Sequence, residues 1–357
     1  MAFQAETLPG FLAHGFDTLI DVRSPAEYAE DRMPGAINLP VLSNAERAHV
    51  GTIYVQEDPF LARKVGAALV ARNAALHLEG PLAGKDGSWR PLVYCWRGGQ
   101  RSGSFASILA QIGWRVDTVA GGYRAWRQAV VAALHDDPWP TPLVLLDGNT
   151  GTAKTEILSV LAARGLQVLD LEGLAGHRGS VFGARGGAQP AQKMFETRIA
   201  AALAEFDPAR PVVVEAESAK VGDRLVPPVL WAAMKAAPRV LVRAPVEARV
   251  TYLVQAYADI AEDKDRLSAD IEGLKPYHGA ERVADWLGFV ETGAHLALAS
   301  ALISEHYDPR YARSRAARPA PVAEAVTERL DGPGIEGLAD AIAALPIMSE
   351  GRDPDAR

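Results

Sequence analysis

At 357 residues the chain exceeds one ordinary core and implies two domains, each able to bury a sizeable apolar interior. A formal net charge of -7 and a single cysteine exclude bulk-charge binding of nucleic acid, an internal disulfide and any multi-cysteine zinc or iron–sulfur centre. No run of about 18 uncharged apolar residues occurs, and MAFQAETLPGF has no basic segment ahead of a long apolar stretch, so no membrane partner and a cytoplasmic location are expected.

In residues 17–134, short apolar runs (TLIDV, VYCW, VDTVA) alternate with helical patterns such as FASILAQIGW and YRAWRQAVVAAL, the signature of a parallel sheet with flanking helices. EGPLAGKDGSW (79–89) reads as a surface loop, and HDDPWPTP (135–142), with three prolines, as the linker. Strand-like runs then recur as LVLLD, LQVLDL, PVVVEAE and RVLVRA, separated by helices including QPAQKMFETRIAAALAEF. From about 246 onward the pattern is mostly helical, and the tail SEGRDPDAR is expected to be disordered. The predicted fold class is α/β throughout, with one domain at 1–138 and a second at 139–357 that ends in a helical part.

PLVYCWRGGQRS (91–102) places Cys95 at the C-terminal end of a buried strand, where a glycine turn and a helix N-terminus converge on an anion. Such a loop is expected to bare and ionise the thiol. Arg97 and Arg101 add positive charge, Gly98 and Gly99 let the amides turn inward, and Gln100 and Ser102 complete the expected anion-binding loop. A structural buried cysteine is the bland alternative, outweighed by RGGQRS.

With IDVRSPAEY (20–28), MPGAINLP (33–40) and GGYRAW (121–126) in the same order, the first half resembles the rhodanese family. That resemblance implies that Cys95 carries chalcogen, and Arg23 and Glu27 are expected to form a structural ion pair. Five residues separate Cys95 from Arg101, one more than in many simple rhodaneses, a cradle wide enough for a tetrahedral anion such as selenophosphate.

LVLLDGNTGTAKTEIL is nearly GxxxxGK[ST] after a buried strand. Gly148, Asn149, Thr150, Gly151, Thr152 and Ala153 would form the phosphate nest, Lys154 would reach the next phosphate, and the hydroxyl of Thr155 is suited to Mg²⁺. Ala153 replaces the glycine before lysine, which restricts the backbone but still admits a diphosphate. Glu215, Glu217 and Ser218 follow another strand run, where a metal-associated acid is expected. DLEGLAGHRGSVFGARGGAQ gathers Asp170, Glu172, His177, Arg178 and Arg185 in a loop expected to bind substrate. Arg243 and Arg249 flank a strand-to-helix turn and are candidates to meet phosphates, with surface ion pairing the equal alternative.

Taken together, CWRGGQRS, GNTGTAKT, DLEGLAGHRGSVFG, QPAQKMFE, VEAES and HYDPRY resemble the tRNA 2-selenouridine synthase family over nearly the whole chain. The resemblance implies conversion of wobble-position 2-thiouridine to 2-selenouridine through S-geranyl-2-thiouridine. It implies geranyl diphosphate and selenophosphate as substrates, no tightly bound cofactor, tRNA as partner, and a selenophosphate-supplying enzyme upstream. Two other classes stay open: a rhodanese-linked P-loop ATPase or kinase in sulfur transfer, and a non-catalytic tRNA-binding sulfur relay.

Overall fold

Parallel pairing explains why the strand runs are apolar without alternation: strands covered on both faces have no side that must face water. The computed structural model describes residues 2–180, 182–183, 187–316 and 318–349, so the tail lies almost wholly outside the described residues. The chain divides into two compact units, Met1–Pro138 with Pro190–Glu205, and Trp139–Gln189 with Phe206–Arg357.

In the first unit β1 (Thr18–Asp21), β2 (Ile37–Asn38), β3 (Pro91–Tyr94) and β4 (Asp117–Thr118) form a parallel sheet of order β2-β1-β3-β4. All four residues of β3 are buried, and the core packs Ile20, Val22, Val93, Phe105, Leu109 and Trp114 around it. The motif SPAEY starts a helix at Pro25, with Ser24 as the cap and the Glu27 carboxylate accepting from the Ser24 amide at 3.2 Å.

Helix Gln192–Glu205, read from sequence as part of the second domain, belongs to this unit. Thr197 accepts from Trp126 Nε1 at 3.3 Å and donates to Asp31 at 3.1 Å, while Tyr123 donates to the same carboxylate at 2.6 Å. The burial of Met194, Phe195 and Ile199 shows what the helix contributes. Its period was readable, but not the surface it would cover.

In the second unit β5 (Leu143–Gly148), β6 (Gln167–Leu169), β7 (Val212–Glu215), β10 (Arg239–Arg243) and β11 (Ala323–Val326) form a parallel sheet of order β11-β10-β5-β7-β6; β8 (Lys220–Val221) and β9 (Arg224–Leu225) are a small antiparallel pair. Helices fill 246–316, as their pattern predicts, but β11 then returns to the sheet. Its sequence, AEAV, favours helix by propensity, and pairing along β10 overrides that preference. A second apolar cluster, with Trp286 fully buried, joins the helices between residues 258 and 302.

Candidate functional site

Two loops, one in each unit, leave the C-terminal end of a buried parallel strand and enter a helix N-terminus. In the first unit Cys95 follows β3, and Gly99 caps the helix Gln100–Ile112. GGYRAW closes against it: Tyr123 N donates to Cys95 O at 2.9 Å and Arg124 N to Trp96 O at 3.0 Å. That approach requires glycine, because a Cβ on Gly122 would lie 2.3 Å from Cys95 O, and one on Gly98 2.6 Å from Val119 O; both have positive φ.

The thiol is not bared by its loop. Cys95 is 4% exposed and packs within the apolar cluster. Burial pushes its pKa up, but the Ser102 hydroxyl, which donates to Sγ at 3.2 Å, the loop amides of Ser102 and Gly99, and the Arg101 charge outweigh it, so the net shift is downward. Arg97 is exposed at the rim, and Arg101 donates to Glu27 at 2.9 Å.

Arg23 and Glu27 are therefore not partners. Arg23 is fully buried, bonded to Asp21 at 2.6 Å and to Asp31 O at 2.6 Å, with its guanidinium 3.9 Å from the centre of the Tyr123 ring. Adjacent strand and helix-cap geometry decides the pairing, and Glu27 is left for Arg101.

Because the Cys95 pKa is lowered, thiolate persists as pH falls below the free-cysteine value of about 8.5. Alkylation by iodoacetamide should show a midpoint below that value, inorganic phosphate should slow it, and Ser102→Ala should move the midpoint upward. A midpoint at or above about 8.5 in the unaltered protein would contradict the loop's role.

In the second unit Ala153, before helix Lys154–Ala163, takes the left-handed conformation with φ 58°, the lone non-glycine positive φ among the described residues. An alanine there keeps the turn that the expected glycine would make, at a steric cost of roughly 1–2 kcal/mol. Lys154 Nζ donates to Gly148 O at 3.1 Å and lies 6.0 Å from the Tyr311 ring centre. Burial lowers the Lys154 pKa, but nearby Tyr311, Glu217, Glu172 and Asp147 raise it overall, so the ammonium is kept.

Lys154 faces a cavity that Thr150, Gly151, Thr152, Ala153 and Thr155 line from the loop. Glu172, Arg178, Glu217 and Ser218 line it too. The Thr155 hydroxyl, expected to suit Mg²⁺, donates to Glu172 at 3.0 Å. Among the described residues no three His, Cys, Asp or Glu side chains gather as a metal-binding set. Burial, with the Glu217 charge next, raises the Glu172 pKa to about 7. Glu217 is also raised, chiefly by burial. Glu215 supports rather than faces the cavity, one carboxylate oxygen accepting from the Glu172 amide at 2.7 Å.

Several expected contacts are structural. Asp170 caps helix Leu171–Ala175 through Gly173 N at 2.8 Å, and His177 Nδ1 accepts from Gly179 N at 3.1 Å. Arg178 lines the cavity while pairing with Asp259 at 3.0 Å. Arg243 is exposed and paired with Glu324 at 2.8 Å, away from the cavity. Arg249, 3% exposed, donates to Asp308 at 2.9 and 2.7 Å and to Thr150 O at 3.2 Å, so it braces the loop and does not meet phosphate. Arg185 lies outside the described residues.

Sequence reasoning missed the brace itself. Asn149 donates to Asp308 at 2.8 Å and accepts from Arg315, which also holds Asp147 at 2.9 Å. Arg310 and Tyr311 line the cavity from the same stretch. The signal was HYDPRYARSR, whose arginines lie about 160 residues beyond the loop they serve.

A thiolate-favouring loop on one parallel sheet and a phosphate loop on another define a two-domain group-transfer protein, rhodanese-like first and P-loop-like second. Residues 5–129 match the model of the rhodanese-like domain, and 141–287 that of the tRNA 2-selenouridine synthase AAA domain. The tRNA 2-selenouridine synthase of Pseudomonas syringae is 35% identical over 83% of this chain and 88% of that protein. Those of Shewanella loihica and Cupriavidus pinatubonensis are each 32% identical, over 82% and 84% of this chain and 86% and 90% of their own length. The chain belongs to the tRNA 2-selenouridine synthase family and is an enzyme of that family. No helix among the described residues is long and apolar enough to cross a membrane.

Proposed function

We propose that the enzyme converts 2-thiouridine at the wobble position of tRNA to 2-selenouridine in two steps, using geranyl diphosphate and then selenophosphate. The observation that carries this reading is a cavity beside the loop that both Lys154 and Arg310 line, each hydrogen-bonded to an uncharged partner. Lys154 bonds a backbone carbonyl, and Arg310 lies 3.2 Å from His306, which burial holds neutral with a pKa of about 4.

In the first step the thiouridine sulfur attacks the allylic carbon, and the carbon–oxygen bond breaks as diphosphate leaves with the electron pair. Lys154, Arg310 and the loop amides stabilise that charge as preorganised donors. The proton displaced from the base passes to Glu172, whose pKa of about 7 suits a base at neutral pH. In the second step the selenium of hydrogen selenophosphate attacks C2, the C2–S bond breaks as geranylthiolate leaves and takes the donor's proton, and water then cleaves the Se–P bond, releasing phosphate and returning a proton to N3 of the 2-selenouridine. Cys95 acts in that delivery, its loop holding the donor's phosphate.

Chromatography and mass spectrometry of nucleosides from thiouridine-containing tRNA provide the test. Geranyl diphosphate alone should give the S-geranyl nucleoside, and added selenophosphate should convert it to 2-selenouridine. Unaltered nucleosides with both substrates would overturn the reading in favour of a tRNA-binding relay, and tRNA-stimulated ATP turnover in its place would favour an ATPase or kinase.

A further inference from the structure

The cavity at the phosphate loop shares a wall with a second one: Thr150, Ser180, Leu253, Tyr257 and Tyr307 line both. The two differ in chemistry. The first brings Lys154, Arg310, Glu172 and Glu217 together, whereas no Asp, Glu, Lys or Arg lines the second. Phe182, Ile260, Leu267, Leu298, Leu302 and Ile303 form much of it, and all six are buried apolar residues. At the shared wall, the Ser180 and Tyr257 hydroxyls lie 3.4 Å apart and pair with each other.

We infer that the second cavity is a slot for the apolar tail of the diphosphate held by the phosphate loop, and that Leu298 sets the tail length it accepts. This rests on the reading that the loop takes a prenyl diphosphate, and adds where the chain goes and what measures it. The loop side supplies cations and amides for the diphosphate, and the adjoining side is mostly carbon surface, with His295 among its lining residues. A nucleoside in the same place would leave its ribose hydroxyls and ring nitrogens unpaired, which disfavours ATP as the occupant. A saturated or isoprenoid chain loses nothing there, and each methylene buried strengthens binding roughly fourfold.

Leu298, 4% exposed, lies on the short helix His295–Ala301, packed against helix Val246–Ala256, which carries Leu253. It lines the second cavity with Ile260 and Leu267, its neighbours in one apolar cluster, and none of the three lines the cavity that holds the charged groups. Enlarging it should shorten the slot, and trimming it should lengthen the slot.

The experiment compares the affinities of inorganic diphosphate, geranyl diphosphate and farnesyl diphosphate for the whole protein. The unaltered enzyme should bind geranyl diphosphate far more tightly than inorganic diphosphate. Leu298→Trp should shrink that ratio about tenfold or more, the effect of displacing two methylenes, with inorganic diphosphate binding retained. Leu298→Ala should raise the farnesyl-to-geranyl preference by a similar factor. Should Leu298→Trp lose inorganic diphosphate as well, its fold is damaged and Leu298→Ala decides. Equal affinities for geranyl and inorganic diphosphate in the unaltered enzyme, or a chain-length preference unmoved in Leu298→Ala, would overturn the slot. Tight, length-selective binding with no transfer to tRNA would instead refute the transfer reading and leave the slot standing.

Discussion

Lys154→Ala should lower geranyl transfer to thiouridine tRNA by about 10²–10³-fold, the usual loss when one preorganised donor to a developing anion is removed. The variant also gives up the bond from Lys154 Nζ to Gly148 O in the loop backbone. The ammonium also holds the neighbouring acids down: its charge lowers the pKa of Glu172 against burial and against Glu217. Removing it should move Glu172 above about 7, so the acidic limb of the residual rate should shift to higher pH. Selenation of supplied S-geranyl tRNA should be far less affected. A geranyl-transfer rate within a few-fold of the unaltered enzyme would remove Lys154 from the chemistry.

Cys95→Ser should do the opposite. Geranylated tRNA should still form, because the phosphate loop and Glu172 belong to the other unit, and it should accumulate as selenation falls by roughly 10²-fold or more, the scale of losing a preorganised group. A serine hydroxyl preserves the shape of the pocket and the bond to Ser102 but does not ionise near neutral pH. Nucleoside profiles from both variants, each offered both starting tRNAs, separate the two roles. A folded Cys95→Ser enzyme that makes no geranylated product would place the thiol in the first step as well.

Both loops were legible as strand-to-helix turns because each is local: strand, glycine turn and helix follow one another within about a dozen residues, and the physics that shapes them acts at that range. The partners of the loops were not. Arg243 and Arg249 carry the same signal in sequence, yet one ends on the surface beside Glu324 and the other is buried against Asp308. A guanidinium suited to phosphate is equally suited to a carboxylate, and only the fold tells which it meets. The burial of Cys95 was hidden for a related reason. Sequence shows the glycines and arginines that favour thiolate, but not that GGYRAW closes over the loop through Tyr123 and Arg124. The strand β11 failed differently, since its residues prefer helix and only the exposed edge of β10 makes them a strand.

The long-range brace on the phosphate loop has a consequence for synthesis. Arg249 is a buried charge whose partner Asp308 comes late in the chain, and Asp147, paired with Arg239 first, gains Arg315 later still; a buried charge left without its partner costs about 3–5 kcal/mol. At roughly 5–20 residues per second on the ribosome, the loop emerges on the order of ten seconds before the residues that hold it. The first unit waits in the same way for the helix Gln192–Glu205. The nascent chain therefore carries the second unit's loop without its brace, and a fragment ending at residue 287, where the family match stops, would keep the signature of that loop and lack its support.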